Sequence, residues 1–205
     1  MSRRTRILVV GGTAFALVAG STTLEGQSAQ RWSIQGSGIL VSAFGDAYEG
    51  LDSGLGIEAQ LRLTPSAWSF GAGFQVSSHG LSEVDENVTL AGIFFEPRYV
   101  IDVGKNYAPY LAGRLSFLQQ SATISDPTIG DIELSASGAQ FNVGGGFLFR
   151  LTPRVNLDLG ATVGIINFGD VEATNSGQTF TFDGTSGNGQ NVVLRVGLAI
   201  GLGKS

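Results

Sequence analysis

The 205-residue chain has no cysteine, one histidine and one methionine. The first absence excludes disulfide stapling, thiolate chemistry and cysteine-ligated metal. The second excludes a multi-histidine zinc site within one chain, since His79 stands alone. Charge is also scarce: 12 Lys and Arg against 17 Asp and Glu, a net −5, which argues against nucleic acid as a partner. No segment supplies the ~20 apolar residues of a membrane-crossing helix. If lipid surrounds this chain, the chain must therefore be a closed barrel, because only helices and barrels satisfy every backbone group in hydrocarbon. What the chain has in excess is glycine, 31 residues, which suits strands, tight turns and a crowded interior.

The N-terminus reads as a secretory signal peptide. Arg3, Arg4 and Arg6 form a basic start, Ile7 to Ala19 is an apolar run, and a polar stretch from Gly20 to Gln30 follows. The cut falls after Gly20 or after Ala29. This divides the chain into residues 1–30, the signal peptide and a short N-terminal segment, and residues 31–205, one barrel domain.

The rest of the chain alternates. From Leu55 to Leu63 every odd residue is apolar, and Gly56, Glu58, Gln60 and Arg62 lie between them. Successive strand side chains point to opposite faces, so the segment has one greasy and one polar face. The pattern recurs in segments beginning near Trp32, Trp68, Thr89, Tyr107, Phe141, Val155 and Val192. In the first, the alternation slips around Gly36-Ser37-Gly38, which predicts a bulge. The small and charged residues suit the inside and the greasy face the outside, as a barrel solvated by lipid requires. An apolar lumen would instead mark a soluble lipocalin-like carrier.

The connections alternate short and long. The long ones are predicted at about 45–53, 78–87, 119–137 and 167–189, the asymmetry of short periplasmic turns and longer outer loops. Trp32, Trp68, Tyr99, Tyr107 and Phe149 lie toward the short turns, and Phe44, Phe117, Phe141 and Phe168 toward the long loops. These two groups are expected to form interfacial aromatic girdles.

Three stretches carry a family resemblance: Glu96-Pro97-Arg98-Tyr99, Pro109-Tyr110-Leu111-Ala112-Gly113, and Gly144-Gly145-Gly146-Phe147 leading to Arg150-Leu151-Thr152-Pro153. From about Arg31 onward the chain resembles the OmpA-like, opacity-type outer-membrane barrel domains. The resemblance implies an all-β, eight-stranded antiparallel up-and-down transmembrane β-barrel in the bacterial outer membrane. Such barrels usually end on an aromatic residue read by the insertion machinery, whereas this chain ends Leu202-Gly203-Lys204-Ser205.

The charges expected inside are Glu58, Arg62, Glu96, Arg98, Arg114, Arg150, Asp158 and Arg195. Buried charge must be paired. Counting across the short links places Arg114 by Glu96 and Arg150 diagonal to Asp158, within reach of an arginine. Inward Gly71, Gly73, Gly144, Gly146, Gly160 and Gly197 leave room for the arginines. Eight strands enclose a space that side chains just fill, so a plugged lumen is expected and a narrow pore or small-molecule carrier is the alternative.

The long loops hold Asp46, Glu49, Asp52, Glu83, Asp85, Glu86, Asp126, Asp131, Glu133, Asp170, Glu172 and Asp183, and no Lys or Arg. Such a surface suits divalent cations or a cationic partner, although Asp85-Glu86-Asn87 and Asp131-Ile132-Glu133 lack calcium-loop spacing. His79 with Ser77, Ser78, Ser82 and Glu83 is the one grouping that suggests a lipid-modifying hydrolase or acyltransferase. Gly144-Gly145-Gly146 lies mid-strand and is no phosphate loop. The expectation is a monomeric barrel in outer-membrane lipid and lipopolysaccharide, with no enzyme activity, no cofactor, no metal and no catalytic residue, acting in envelope structure or surface interaction.

Overall fold

Each alternating segment pairs with the next in sequence, so the sheet is built from neighbours and then closes on itself. The structure is a computed structural model that describes residues 31–45, 51–81, 84–101, 103–126, 130–175, 178–182 and 187–203. The strands are β1 (Trp32–Phe44), β2 (Gly54–Leu63), β3 (Trp68–Leu81), β4 (Val84–Val100), β5 (Tyr107–Asp126), β6 (Gly130–Arg150), β7 (Val155–Asn175), β8 (Gln178–Phe182) and β9 (Asn188–Leu202). All pairings are antiparallel. β1 through β7 pair in order, β7 pairs β9, and β9 returns to β1 with Trp32 opposite Leu202. Eight strands thus form a closed barrel without an edge, and β8 lies beside the upper part of β7. The fold read from the alternation is the fold observed. The signal-peptide reading and the loop positions 46–50 and 183–186 fall outside the described residues.

Sidedness follows the sequence pattern. Leu55, Ile57, Leu61 and Phe74 are exposed on the outer wall, while Glu58, Arg62, Glu96, Arg98, Arg114, Asp158 and Arg195 are buried inside. In water such a wall would be a large exposed apolar patch; in lipid it is the favourable solution. Trp68 meets Tyr99 edge-on at 5.2 Å, and Tyr107, Phe147 and Phe149 cluster at 6.2–6.4 Å, making an aromatic band at the short-turn end. Phe44, Phe117 and Phe141 are exposed near the other end.

Phe168 departs from that second band. It is buried in the lumen with Val88, Leu90, Leu118 and Ile166. It shares the parity of Ile166, which points inward, and β7 continues unbroken past Ile165. Gly138 leaves room for its ring, since a Cβ there would stand 2.6 Å from Phe168 Cδ1. The expected bulge at Gly36-Ser37-Gly38 is also absent: β1 runs in register with both neighbours. Its slip reflects a change of lining instead. Gly36 and Gly38 take the outer parity, and Ile39 and Val41 join Val193 as an apolar part of the lumen. The register shifts lie at Gly80/Leu81 and at Ala136/Gly138.

The long connections differ most from expectation. β5 and β6 pair continuously from Tyr107 with Phe149 to Asp126 with Gly130, so most of the expected loop 119–137 is a hairpin. β7 likewise extends to Asn175 and takes up β8. At ~3.3 Å per residue a strand of 21 residues runs about 70 Å, roughly twice what 10 residues reach. The β5–β7 side therefore stands well above the β1–β2 side.

Candidate functional site

The polar parity of the strands concentrates charge at mid-height of the lumen. Glu96, in the last third of β4, is its hub. Its Oε1 accepts from Arg98 Nε at 2.7 Å and Arg62 Nη1 at 3.1 Å. Its Oε2 accepts from Arg114 Nε at 2.7 Å and Arg195 Nη2 at 2.8 Å. Four strands thus deliver a guanidinium to one carboxylate. Glu58 on β2 contacts Arg114 at 2.8 Å and Arg195 at 2.7 Å. Asp158 on β7 receives Arg98 Nη1 at 2.9 Å, Tyr110 Oη at 2.8 Å and Gln35 Nε2 at 2.6 Å. All seven ionised groups are nearly inaccessible to solvent. In such a site each charge depends on its partners, because an unpaired ion away from water is very costly.

The expected Arg114–Glu96 pair is present. Arg150 occupies the diagonal position counted for it, opposite Asn156, but it is half-buried, and Asp158 is gripped by Arg98 from across the lumen. Hairpin counting finds neighbours along the wall; it does not see groups that meet across the barrel axis. It also missed Phe94, whose buried ring lies 3.9 Å beneath the Arg114 guanidinium carbon, and Gln35. Their signal is parity alone: both share the inward face with the charges. The glycines serve two side chains in particular. A Cβ at Gly160 or Gly146 would stand 2.5 or 2.6 Å from the Tyr110 hydroxyl, and one at Gly71 would stand 2.5 Å from Arg62 Nη1.

Apolar layers bracket the ions. Val100, Ala108, Tyr110, Ala112 and Leu148 pack toward the short turns, and the Phe168 cluster packs toward the long connections with Leu51, Leu81, Ala122 and Ala136 against it.

His79 sits near the upper layer and is wholly buried. Its Nε2 lies 3.1 Å from Ser77 Oγ and its Nδ1 3.1 Å from the backbone oxygen of Asp52. A Cβ at Gly54 would strike the imidazole at 2.5 Å, so glycine is what admits the ring. The Asp52 amide in turn donates to Gly80 at 2.9 Å, and Leu51 bridges Leu81. The serine–histidine grouping is therefore real, but its third partner is a peptide carbonyl, and the ring ties the segment before β2 onto β3. Ser78 has the outward parity, and Ser82 and Glu83 lie outside the described residues.

Of the expected loop acids, Glu133, Asp170 and Glu172 are exposed on the strand extensions. Ser135 is opposite Glu172, and Thr123 opposite Glu133. No group of three or more acidic or histidine side chains poised for a metal ion occurs among the described residues.

Comparison with known proteins agrees with this architecture. The outer membrane protein beta-barrel domain family matches residues 11–199. Among solved structures, Neisserial surface protein A superposes with a TM-score of 0.62 at 17% identity, over 83% of this chain and 97% of that one. The attachment invasion locus protein of Yersinia pestis gives 0.49 at 16% identity, over 82% and 97%. A major outer membrane protein from Thermus thermophilus gives 0.48 at 13% identity, over 82% and 98%. No curated protein matches by sequence. With its lipid-facing wall, its closed sheet and a family match across nearly all of its length, the chain belongs to the outer membrane protein beta-barrel domain family and is a bacterial outer-membrane protein.

Proposed function

We propose that this barrel is closed to flow, has no catalytic activity, and works in envelope structure or surface interaction through the acidic extensions of β5, β6 and β7. The observation that carries the reading is the height of those strands. They continue as paired backbone far beyond what a bilayer needs, and pairing keeps them stiff enough to present a surface. Glu133, Asp170 and Glu172 supply a negative field on that surface, which favours a cationic partner or divalent cations. Closure is supported by the ionic layer and by the apolar clusters that bracket it in the lumen. The absence of catalysis is supported by the enclosure of Ser77 and His79, which leaves a substrate no approach.

The test has two parts. In planar bilayers the protein should give no steps of defined conductance; reproducible unitary channels would overturn closure. In a binding assay with polylysine, the protein should bind in low salt and lose most of its binding when residues 121–135 are replaced by a short turn. Undiminished binding by that variant would remove the extension as the interaction surface.

A further inference from the structure

The buried lumen charges do not cancel. Four guanidiniums, those of Arg62, Arg98, Arg114 and Arg195, face three carboxylates, those of Glu58, Glu96 and Asp158, among the described residues with buried side chains. One positive charge is thus left over in a low-dielectric cylinder, where an uncompensated ion is far more costly than a paired one.

The arrangement places the surplus at the lower end. Glu96 and Glu58 both lie between Arg114 and Arg195, and Asp158 takes Arg98. Arg62 shares Glu96 with three other arginines, at the longest of the four closest contacts, 3.1 Å. Its Nη2 has only two long bonds to backbone oxygens, 3.3 Å to Glu96 and 3.4 Å to Ser69. Nη2 of Arg98 has no hydrogen-bond partner at all.

Both arginines line one small cavity of about 30 Å³, with Ser33, Thr64, Ser69 and Asn156 among its walls. Ser33, Arg62, Ser69, Arg98 and Asn156 are all at least nine-tenths buried. The polar lining is two guanidiniums, three hydroxyls and two amides, with Val100, Leu148 and Ala199 completing the wall. The Thr64 and Ser69 hydroxyls, 2.8 Å apart, share one hydrogen and leave the other to donate, so the set is rich in donors for an anion. About 10–15 Å³ of such space holds one water, so the cavity has room for a small ion and one water. That water has a waiting acceptor: Oε1 of Gln35, another wall residue, is unpartnered.

We propose that this cavity binds one small inorganic anion of halide size, chloride by abundance, which neutralises the surplus guanidinium. The ion sits toward Arg62, Ser69 and Thr64, on the side away from Asp158, and enters from the short-turn end. It is a component of the folded lumen and is independent of any partner bound at the top.

The experiment uses the purified protein in detergent micelles. Urea unfolding is followed in sodium chloride–sodium gluconate mixtures of constant ionic strength, gluconate being too large for the cavity. The folding equilibrium constant should rise nearly tenfold for each tenfold rise in chloride above the dissociation constant. Bromide should substitute, and crystals grown in bromide should show its anomalous signal between Arg62 and Arg98. Ser69→Asp places a carboxylate beside Arg62 and should fold in gluconate alone with its chloride dependence lost; Ser33→Asp provides the same test from β1 should the first variant fail to fold. Stability indifferent to the anion, with only water in the cavity, would overturn the proposal. So would an undiminished chloride slope in both variants.

Discussion

Two regions of the same pair of strands follow opposite rules. In the lower part of β5 and β6, Leu115, Phe117, Phe141 and Val143 face outward, while Arg114, Ser116, Gln140 and Asn142 are buried. Above the paired residues Gln119 and Ser137 the polarity reverses. Ser121, Thr123 and Glu133 are exposed there, and Ala122 and Ala136 pack inward against the Phe168 cluster. The pairing of β5 with β6 does not change across this boundary; the solvent does. Below it the outer face meets hydrocarbon and the lumen must satisfy its polar groups internally. Above it the outer face meets water, and the sheet buries apolar side chains as a soluble protein does. The level of Gln119 and Ser137 therefore marks the outer surface of the bilayer.

Five substitutions would break or sharpen this contrast. The largest effect is expected at the hub. Glu96→Gln removes the charge that four arginines share, and should cost about 3–5 kcal/mol of unfolding free energy in lipid vesicles. A loss below about 1 kcal/mol would mean that water reaches the arginines. Next comes Phe168→Ala, which empties the apolar layer above the ions; about 3 kcal/mol is expected from the same urea titration. If Phe168 instead faced lipid, the loss would match that of Phe141→Ala measured alongside.

Val196→Arg places a charge on the outer wall near the middle of β9, where the residue is 59% exposed. Such a change is nearly neutral on a water-facing surface, but it should cost about 2–4 kcal/mol in a bilayer. Its partner measurement is Thr123→Arg, above the boundary, which should stay within about 0.5 kcal/mol. Equal costs for the two arginines would erase the distinction between the regions. The smallest effect belongs to Glu133→Gln, also within about 0.5 kcal/mol, although it removes a carboxylate just as Glu96→Gln does. One chemical change with two very different outcomes is the sharpest form of the comparison.

Much of this was legible in advance because strand parity is a local property. Leu55 to Leu63 announces its two faces without any knowledge of neighbours, and the inward charges follow from the same count. Arg114 beside Glu96 was legible too, because a short link fixes the register of its hairpin. Two things were harder to read. Phe168 looks like an interfacial aromatic until β7 is known to continue in register past Ile165. The stretch 119–137 looks like a loop because its apolar residues switch sides, and that switch reads as an end of the strand when it is only an end of the membrane.

The sequence by itself determined that the chain makes strands, that one face of each is greasy, and that the charged face turns inward, since all three follow from alternation and from the choice between water and lipid. The tertiary structure alone decided that Arg98 reaches Asp158 across the lumen, that Glu96 serves four arginines, and that a surplus guanidinium borders a small polar cavity. These depend on closure of the sheet, which brings together side chains from strands far apart in sequence. No local pattern encodes a distance across a barrel.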